Sequence, residues 1–205
     1  MSASSKVWRL PKDIDTDNLA PGAYMKLPVA QIAKHTLESI RADFAGGVRP
    51  GDVIVAGPNF GIGSSREQAA GVLVELGVRA VIAPSFSGLF FRNAFNLGLL
   101  LLTCAQADLI NEEETLQIEQ QISDLSSNAV SKGAHKGAQD GAHDGAHDGA
   151  HDAAHDGAQE DSVHTFNIVA QSGLRLECKP IPDFLMQMID HGGLLNVLKY
   201  KYKKN

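Results

Sequence analysis

The chain has 205 residues, of which 43% are hydrophobic and 20% are charged. A chain of this length buries one sizeable core and is too short for several large domains, so we expect a single domain over residues 1–205. The formal net charge of -6 argues against a protein that binds nucleic acid or coats an anionic membrane, since both tasks need excess positive charge.

The two cysteines, Cys104 and Cys178, lie far apart in the sequence. Their spacing indicates neither a disulfide framework nor a zinc ribbon, and it favours a reducing compartment. Residues 1–10 lack the uninterrupted apolar run of a secretory signal, and no later run reaches the length of a membrane-spanning helix. We therefore predict a cytoplasmic protein that does not bind membranes.

Short apolar runs alternate with helical patterns from residue 6 to residue 104, which is typical of an α/β fold. The strand candidates are residues 7–10, 53–56, 80–83 and 99–103. The last three are continuously apolar, as expected for strands that are buried on both faces of a sheet. We therefore predict a mostly parallel sheet in this half of the chain.

Three helices are predicted in the same half. The first carries an apolar stripe at spacings of three and four, formed by Val29, Ile32, Ala33, Thr36, Leu37 and Ile40. The second should begin at a serine N-cap, Ser64 or Ser65, and end before Gly77 at the C′ position. The third covers roughly residues 87–97.

The pattern changes after residue 104. Residues 115–122 and 163–170 alternate apolar and polar side chains, which predicts a half-exposed antiparallel pair. From Pro182 onward, an apolar pattern predicts a final helix that Gly192 and Gly193 interrupt. The expected fold class is therefore α/β, with a sheet that is part parallel and part antiparallel.

A tandem repeat of Gly, Ala, His and Asp fills residues 133–160. Alanine is its only hydrophobic residue, so the segment cannot offset the entropy that it would lose on ordering. We predict that residues 132–160 form a disordered insertion. The alternative is metal binding, because a helix would align four histidines on one face, namely His143, His147, His151 and His155. Frequent glycines oppose such a helix, so we predict no metal site.

The loop at residues 57–67, with the sequence GPNFGIGSSRE, joins a buried strand candidate to a predicted helix N-terminus. Free backbone N–H groups and the positive end of the helix dipole converge there, which favours an anion. Two serine hydroxyls can hydrogen-bond that anion, and Arg66 can bind a carboxylate through two N–H groups. The spacing matches neither a dinucleotide fingerprint nor a P-loop. An ordinary capped helix with a surface arginine remains the alternative.

Three aspartates precede this loop in the sequence: Asp13, Asp15 and Asp17. They lack the far carboxylate and the central glycine of a calcium loop. We expect Asp15, Thr16 and Asp17 to hydrogen-bond backbone groups in a turn that leads to Tyr24.

Three motifs together resemble the swivel domain of the aconitase superfamily. Residues 13–26 look like the D-T-D-x-x-x-P-x-x-Y-L opening of that family, and residues 61–68 look like its G-x-G-S-S-R-E-H signature. Residues 80–100 look like its A-V-I-A-x-S-F-A-x-I-F-x-x-N-x-x-x-x-G-L-L segment. The match is strong over residues 6–104 and weak beyond them. It implies a swivelling β/β/α domain. Among relatives, the chain is similar to the small subunits of 3-isopropylmalate dehydratase, homoaconitase and alkylmalate dehydratase.

The resemblance implies a hydro-lyase that isomerises or dehydrates a hydroxy di- or tricarboxylic acid. Carried over by position, Ser64 would be the alkoxide-like base, Ser65 a hydrogen-bond donor to the substrate, and Arg66 its carboxylate clamp. A 4Fe-4S cluster would lie on a separate large subunit, and this chain would bind no cofactor. Lys26 would lie in a loop over the variable end of the substrate, where a cation favours a distal carboxylate. A solvated lysine is the alternative.

Two residues depart from the family pattern: Gln68 stands where histidine is usual, and Ile62 stands at a position that is more often small or cysteine. The family's catalytic imidazoles lie mainly on the large subunit, so Gln68 is compatible with the same reaction class. It leaves the identity of the substrate undecided. Two alternatives come from other classes, a non-catalytic carboxylate-binding paralogue and a metal-storage protein that uses the histidine repeat.

Overall fold

The computed structural model describes residues 5–124 and 162–203. Within these ranges eight strands form one sheet: β1 (Ser5–Leu10), β2 (Val53–Ala56), β3 (Ala80–Ala83), β4 (Leu100–Thr103), β5 (Thr115–Asp124), β6 (Ser162–Ala170), β7 (Arg175–Glu177) and β8 (Ile181–Pro182). Their order across the sheet is β4-β3-β2-β1-β5-β6-β7, and β8 pairs with β6.

Helices cover this sheet and connect its strands: α1 (Thr16–Leu19), α2 (Val29–Ile32), α3 (Phe44–Gly47), α4 (Gln68–Glu75), α5 (Gly88–Asn96), α6 (Asp183–Asp190) and α7 (Leu194–Lys203). Short 3₁₀ turns lie at Gly22–Tyr24, Ala33–His35 and Ala107–Leu109. The predictions of α5, of the antiparallel pair and of an interrupted final helix are confirmed.

Strands β1 to β4 form the parallel half of the sheet. Val7 pairs with Val53, Val53 with Ala80, and Ala80 with Leu100, so these strands run side by side in one direction. Every residue of β2 and β3 is buried, because the layer is covered on both faces. This burial explains why both strands are continuously apolar in sequence.

Strands β5 to β8 form the antiparallel half, and β1 joins the halves where Ser5 pairs with Leu116. Buried and half-buried residues alternate along β6, as expected where one face of a sheet packs on the core and the other meets solvent. The predicted fold class, α/β with a sheet that is part parallel and part antiparallel, is confirmed.

The first predicted helix is too long. In the structure this helix ends at Ile32, and the chain continues only as the 3₁₀ turn Ala33–His35. Thr36 is extended, with φ −60° and ψ 125°, and Leu37 has a positive φ of 62°. The Leu37 N–H donates to the Asn18 carbonyl at 2.8 Å, and the Leu37 side chain is fully buried. A tertiary contact therefore overrides the helical pattern.

The second predicted helix is correct at its end and wrong at its start. Gly77 follows the helix with a φ of 74°, as predicted for a C′ glycine. Helix α4 begins only at Gln68, and its N-cap residue, Glu67, makes no side-chain cap hydrogen bond. Ser64 and Ser65 therefore lie in the loop before the helix and do not cap it.

No helix in the described ranges is long and apolar enough to cross a membrane. The predicted disordered insertion, residues 132–160, lies outside the described residues, as do the histidines proposed as an alternative metal site. The single-domain assignment for residues 1–205 stays a prediction.

Candidate functional site

The loops that follow β1, β2 and β3 meet at the carboxyl edge of the parallel half. The Gly61 N–H, in the loop after β2, donates to the Ile14 carbonyl in the loop after β1 at 2.7 Å. The neighbouring Phe60 N–H donates to the Ser85 carbonyl in the loop after β3 at 3.1 Å. The loop after β2 is therefore held from both sides, at the edge where open α/β sheets bind their ligands.

Glycines let this loop pass close to its neighbours. Gly61 and Gly63 have φ values of 79° and 105°, a region that other residues rarely adopt. A Cβ atom on Gly61 would lie 2.2 Å from Cγ of Phe90, and one on Gly63 would lie 3.0 Å from Oγ1 of Thr16. Both the backbone conformation and the packing therefore require glycine at Gly61.

Ser64 is exposed and is held by a buried threonine. The Ser64 N–H donates to Oγ1 of Thr16 at 3.0 Å, and the two hydroxyl oxygens also lie 3.0 Å apart. Thr16 is only 2% exposed. The prediction that Thr16 hydrogen-bonds a backbone group is confirmed. Its contact with the Ser64 hydroxyl was not predicted, and the only sequence signal for it is the position of Thr16 in the D-T-D motif.

Arg66 forms an ion pair with Asp17 through Nη1, and the same nitrogen donates to the Ala20 carbonyl at 3.0 Å. The hydrogen bond from Arg66 lowers the pKa of the Asp17 carboxyl. Asp17 also accepts from the Gly22 N–H at 3.1 Å, which confirms its predicted backbone hydrogen bond. The pairing of Arg66 with Asp17 was missed, and it fixes the guanidinium beside the loop.

Unpaired donors lie at the start of α4. The backbone N–H groups of Ser65, Arg66, Glu67 and Gln68 have no acceptor within residues 5–124 and 162–203. Ser65 is exposed, and its carbonyl accepts from Nδ2 of Asn93 on α5 at 3.1 Å. Free N–H groups at the positive end of a helix dipole form a favourable place for an anion. These free N–H groups therefore still favour an anion at the predicted position, although the helix starts later than expected.

Lys26 lies on the segment after the 3₁₀ turn Gly22–Tyr24. That turn starts next to Arg66, because a Cβ atom on Gly22 would lie 4.0 Å from its Nη2. Lys26 itself is exposed. None of the hydrogen bonds or ion pairs of the described residues joins Lys26 to Ser64, Ser65 or Arg66. Ser64, Ser65 and Arg66 therefore lie together on the loop after β2, and Lys26 is exposed with no hydrogen bond or ion pair to them among the described residues.

Gln68 lines a small cavity of about 170 Å³ next to the loop, together with Val29, Glu67, Gly71 and Leu97. A larger cavity of about 550 Å³ is lined by residues 111–114 and 171–172, near the amino end of β1, where Lys6 pairs with Thr115. The larger cavity lies away from the hydroxyls, the guanidinium and the unpaired N–H groups. The loop after β2 is therefore the candidate functional site.

Cys104 and Cys178 are free thiols, and both are buried. Among the residues with described positions, no group of three or more His, Cys, Asp or Glu side chains could hold a metal ion. Two buried thiols are fewer than the four cysteine thiolates that hold a typical 4Fe-4S cluster.

The mixed sheet and the Gly-Ser-Ser-Arg loop at its carboxyl edge define a class, the swivel domains of the aconitase type. The family model for the aconitase C-terminal domain matches residues 33–107 of this chain. The crystal structure of 3-isopropylmalate dehydratase from Methanocaldococcus jannaschii superimposes with a TM-score of 0.71 and 28% sequence identity, and the match covers 100% of both chains.

Similar curated proteins identify one family within this class. The 3-isopropylmalate dehydratase small subunit of Nautilia profundicola is 33% identical over 203 residues, which make up 98% of this chain and 97% of that protein. The 3-isopropylmalate dehydratase small subunit 1 of Thermotoga maritima is 45% identical over 116 residues, or 56% of this chain and 70% of that protein. The chain therefore belongs to the family of 3-isopropylmalate dehydratase small subunits, and the predicted resemblance is confirmed.

Proposed function

We propose that this chain is the small subunit of a hydro-lyase of the 3-isopropylmalate dehydratase type, and that the loop around Ser64 is its half of a shared active site. One observation supports this most strongly: the Ser64 hydroxyl, the Arg66 guanidinium and the unpaired N–H groups before and at the start of α4 lie on one short stretch, residues 64–68, whose residues are exposed or half-buried. A hydroxy acid presents carboxylates that need such donors.

Ser64 is the proposed base, which removes a proton from the carbon next to a substrate carboxylate. A serine hydroxyl is a poor base unless its anion is stabilised. Arg66 follows Ser64 by two residues, and the positive end of the α4 dipole lies at Gln68. Both lower the free energy of the alkoxide relative to the hydroxyl.

Arg66 and Ser65 are the proposed substrate-binding residues. Nη1 of Arg66 is engaged by Asp17, so a substrate carboxylate would bind the remaining N–H groups of the guanidinium, which carries five. The exposed Ser65 hydroxyl and the free N–H groups at the start of α4 would bind the other carboxylate oxygens. Asp17 therefore orients the arginine that receives the substrate.

The rest of the active site is proposed to lie on a large subunit. The matched relatives are named small subunits, and the two buried thiols of this chain do not suit a cluster. A 4Fe-4S cluster on the large subunit would supply the iron that takes the leaving hydroxyl. This chain alone is expected to be catalytically silent. Its proposed location is the cytoplasm, where free thiols stay reduced.

The substrate is proposed to be distinguished at its variable end by the segment that contains Lys26. The names of the relatives favour 3-isopropylmalate. An exposed cation on a segment that starts beside Arg66 favours a tricarboxylate, because a distal carboxylate would be attracted to it. An alkylmalate and a tricarboxylate are therefore the two substrates to compare.

Reconstitution tests the proposal. The chain alone and its complex with a cluster-bearing large subunit from the same organism are assayed with 3-isopropylmalate and with a homologous tricarboxylate. We expect turnover by the complex only. Lys26→Ala should shift the preference towards the alkylmalate, whereas Lys34→Ala, a change at another exposed lysine, should leave it unaltered. Turnover by the chain alone, or no turnover of either acid by a complex with an intact cluster, contradicts the proposal.

A further inference from the structure

Thr16, the first residue of α1, is tied to the loop after β2 by three hydrogen bonds. Its N–H donates to the Ile62 carbonyl at 2.8 Å. Its Oγ1 accepts from the Ser64 N–H at 3.0 Å and lies 3.0 Å from Ser64 Oγ. Thr16 is 2% exposed, whereas Ser64 is exposed. The Thr16 hydroxyl therefore contacts the proposed base from the protein interior, where a substrate does not reach it.

The protons of this pair can be counted. A threonine hydroxyl has one proton and two lone pairs, and the Ser64 N–H uses one of the lone pairs. While Ser64 is neutral, either hydroxyl can donate to the other. When Ser64 loses its proton, its oxygen only accepts, so the Thr16 proton must point at it. Hydrogen bonds to an ionised acceptor are about twice as strong as those between neutral groups.

We infer that Thr16 is a positioning residue that holds Ser64 in place and stabilises its alkoxide more than its hydroxyl. This inference rests on the proposed role of Ser64 as the base. Gly63 is part of the same arrangement, because a Cβ atom there would press against Oγ1 of Thr16 at 3.0 Å.

Charged side chains near Thr16 and Ser64 could also influence the pH dependence, so their contacts matter. The charged side chains on the surrounding segments are Lys12, Asp13, Asp15, Asp17, Arg66, Glu67 and Arg92. Asp15 accepts from the Asn18 N–H at 2.6 Å, and Asp17 pairs with Arg66. In the described part of the chain none of these seven side chains hydrogen-bonds the Thr16 hydroxyl. A change at Thr16 that moves the pH dependence of turnover therefore reports on Ser64.

The test uses the assembled enzyme with Thr16→Val, which keeps the side-chain shape and removes the hydroxyl. We expect kcat to fall by about 10- to 100-fold, the effect of losing one hydrogen bond to a charged group, with KM unchanged. The acid limb of the pH profile of kcat should move to higher pH, because the alkoxide is less stable without its donor. Thr16→Ser should restore most of the lost kcat.

Thr36→Val is the matched control, since Thr36 is a fully buried threonine whose hydroxyl has no hydrogen-bond partner among residues 5–124 and 162–203. It should leave kcat and the pH profile unaltered. Where Thr16→Val does not assemble, Thr16→Cys provides the weak donor for the same comparison and should give an intermediate kcat.

A purely structural role would lower the thermal midpoint or weaken assembly without moving the acid limb, and that result overturns the inference. Combining Thr16→Val with Ser64→Ala separates the two proposals. No further loss of kcat in the double variant supports action through Ser64, and an additional independent loss contradicts it while leaving the role of Ser64 intact. Near-normal kcat in Ser64→Ala alone contradicts the proposed function itself.

Discussion

The parallel and antiparallel halves of the sheet differ in how their polar groups are paired. In the antiparallel half, polar side chains bind one another: Arg175 pairs with Glu119 at 2.6 Å, and the buried His164 pairs with Asp183 at 2.9 Å. At the carboxyl edge of the parallel half, an exposed serine and a row of backbone N–H groups lie beside an arginine that is already held by Asp17.

This difference separates scaffold from site. Donors without acceptors bring no stability to the chain, and they become useful when a ligand supplies the acceptor. Such donors gather where the fully buried strands β2 and β3 end, because those strands fix the position of the loops that follow them. In the antiparallel half, the buried His164 has partners on β5 and at the start of α6, and Arg175 has one on β5, which suits a structural role.

Gly61→Ala should give the largest loss of stability, about 4 kcal/mol. A positive φ costs an alanine about 1–2 kcal/mol, and overpacking against Phe90 adds about 1–3 kcal/mol. Gly51→Ala is the control, because its φ is also positive, 96°, but no atom lies within 4 Å of the new Cβ. Gly51→Ala should lower the free energy of unfolding, measured in urea, by only about 1–2 kcal/mol. Equal losses in the two variants would show that the contact with Phe90 is unimportant.

Ile82→Ala should come next, with a loss of about 3 kcal/mol in the free energy of unfolding, since a buried isoleucine loses both its transfer energy and its packing. Ile82 is 0% exposed in the parallel half, whereas Ile122 is 64% exposed in the antiparallel half. Ile122→Ala should therefore change stability by less than about 0.5 kcal/mol. Similar losses at both positions would remove the packing difference between the halves.

Asp17→Asn should raise the KM of the assembled enzyme about fivefold, because Arg66 is then oriented by a neutral amide oxygen and no longer by a carboxylate. The hydrogen bond from Arg66 lowers the pKa of Asp17, so the pair is intact at neutral pH and is lost as pH falls through that lowered pKa. The wild-type KM should therefore rise in acid, and the KM of Asp17→Asn should rise less.

Asp43→Asn is the matched control for Asp17, because Asp43 pairs with a different arginine, Arg41, which also lowers its pKa. Its KM should equal the wild-type value. An unaltered KM in Asp17→Asn would mean that Asp17 does not orient Arg66 for the substrate.

Asp183→Asn should have the smallest effect, limited to acid stability. The hydrogen bond from His164 lowers the pKa of Asp183. Because the pKa in the folded state is depressed, the stabilisation is present above the unfolded pKa and is lost as pH falls through the folded one. Urea midpoints measured over a pH series should therefore fall less steeply in acid for Asp183→Asn, with kcat unaltered. The Asp183 side chain is 36% exposed, so solvent screens the pair. Parallel pH curves for the two proteins would count against this role.

Local patterns predicted most of the fold. Continuous apolar runs located β2 and β3, and alternation located β5 and β6, because burial on two faces and on one face leave different periods in sequence. The same kind of pattern failed at Leu37, whose N–H bonds the Asn18 carbonyl. A hydrogen bond to a distant segment leaves no local period.

The site was predicted only in part for the same reason. The glycines, serines and arginine of residues 61–66 indicated an anion site because they are adjacent in the chain. The partners that hold them come from another segment: Thr16 is 48 residues from Ser64, and Asp17 is 49 residues from Arg66. Only the three-dimensional approach of the loops after β1 and β2 reveals those pairs.

The turnover number of the assembled enzyme with Ser64→Ala, measured at saturating substrate, tests the central proposal most directly. We predict that kcat falls by about 100-fold or more, as expected on removal of a general base. The complex should assemble and unfold as the wild type does, and Ser39→Ala, a change at another exposed serine, should keep wild-type kcat. A kcat near the wild-type value in Ser64→Ala would contradict the assignment of Ser64 as the base.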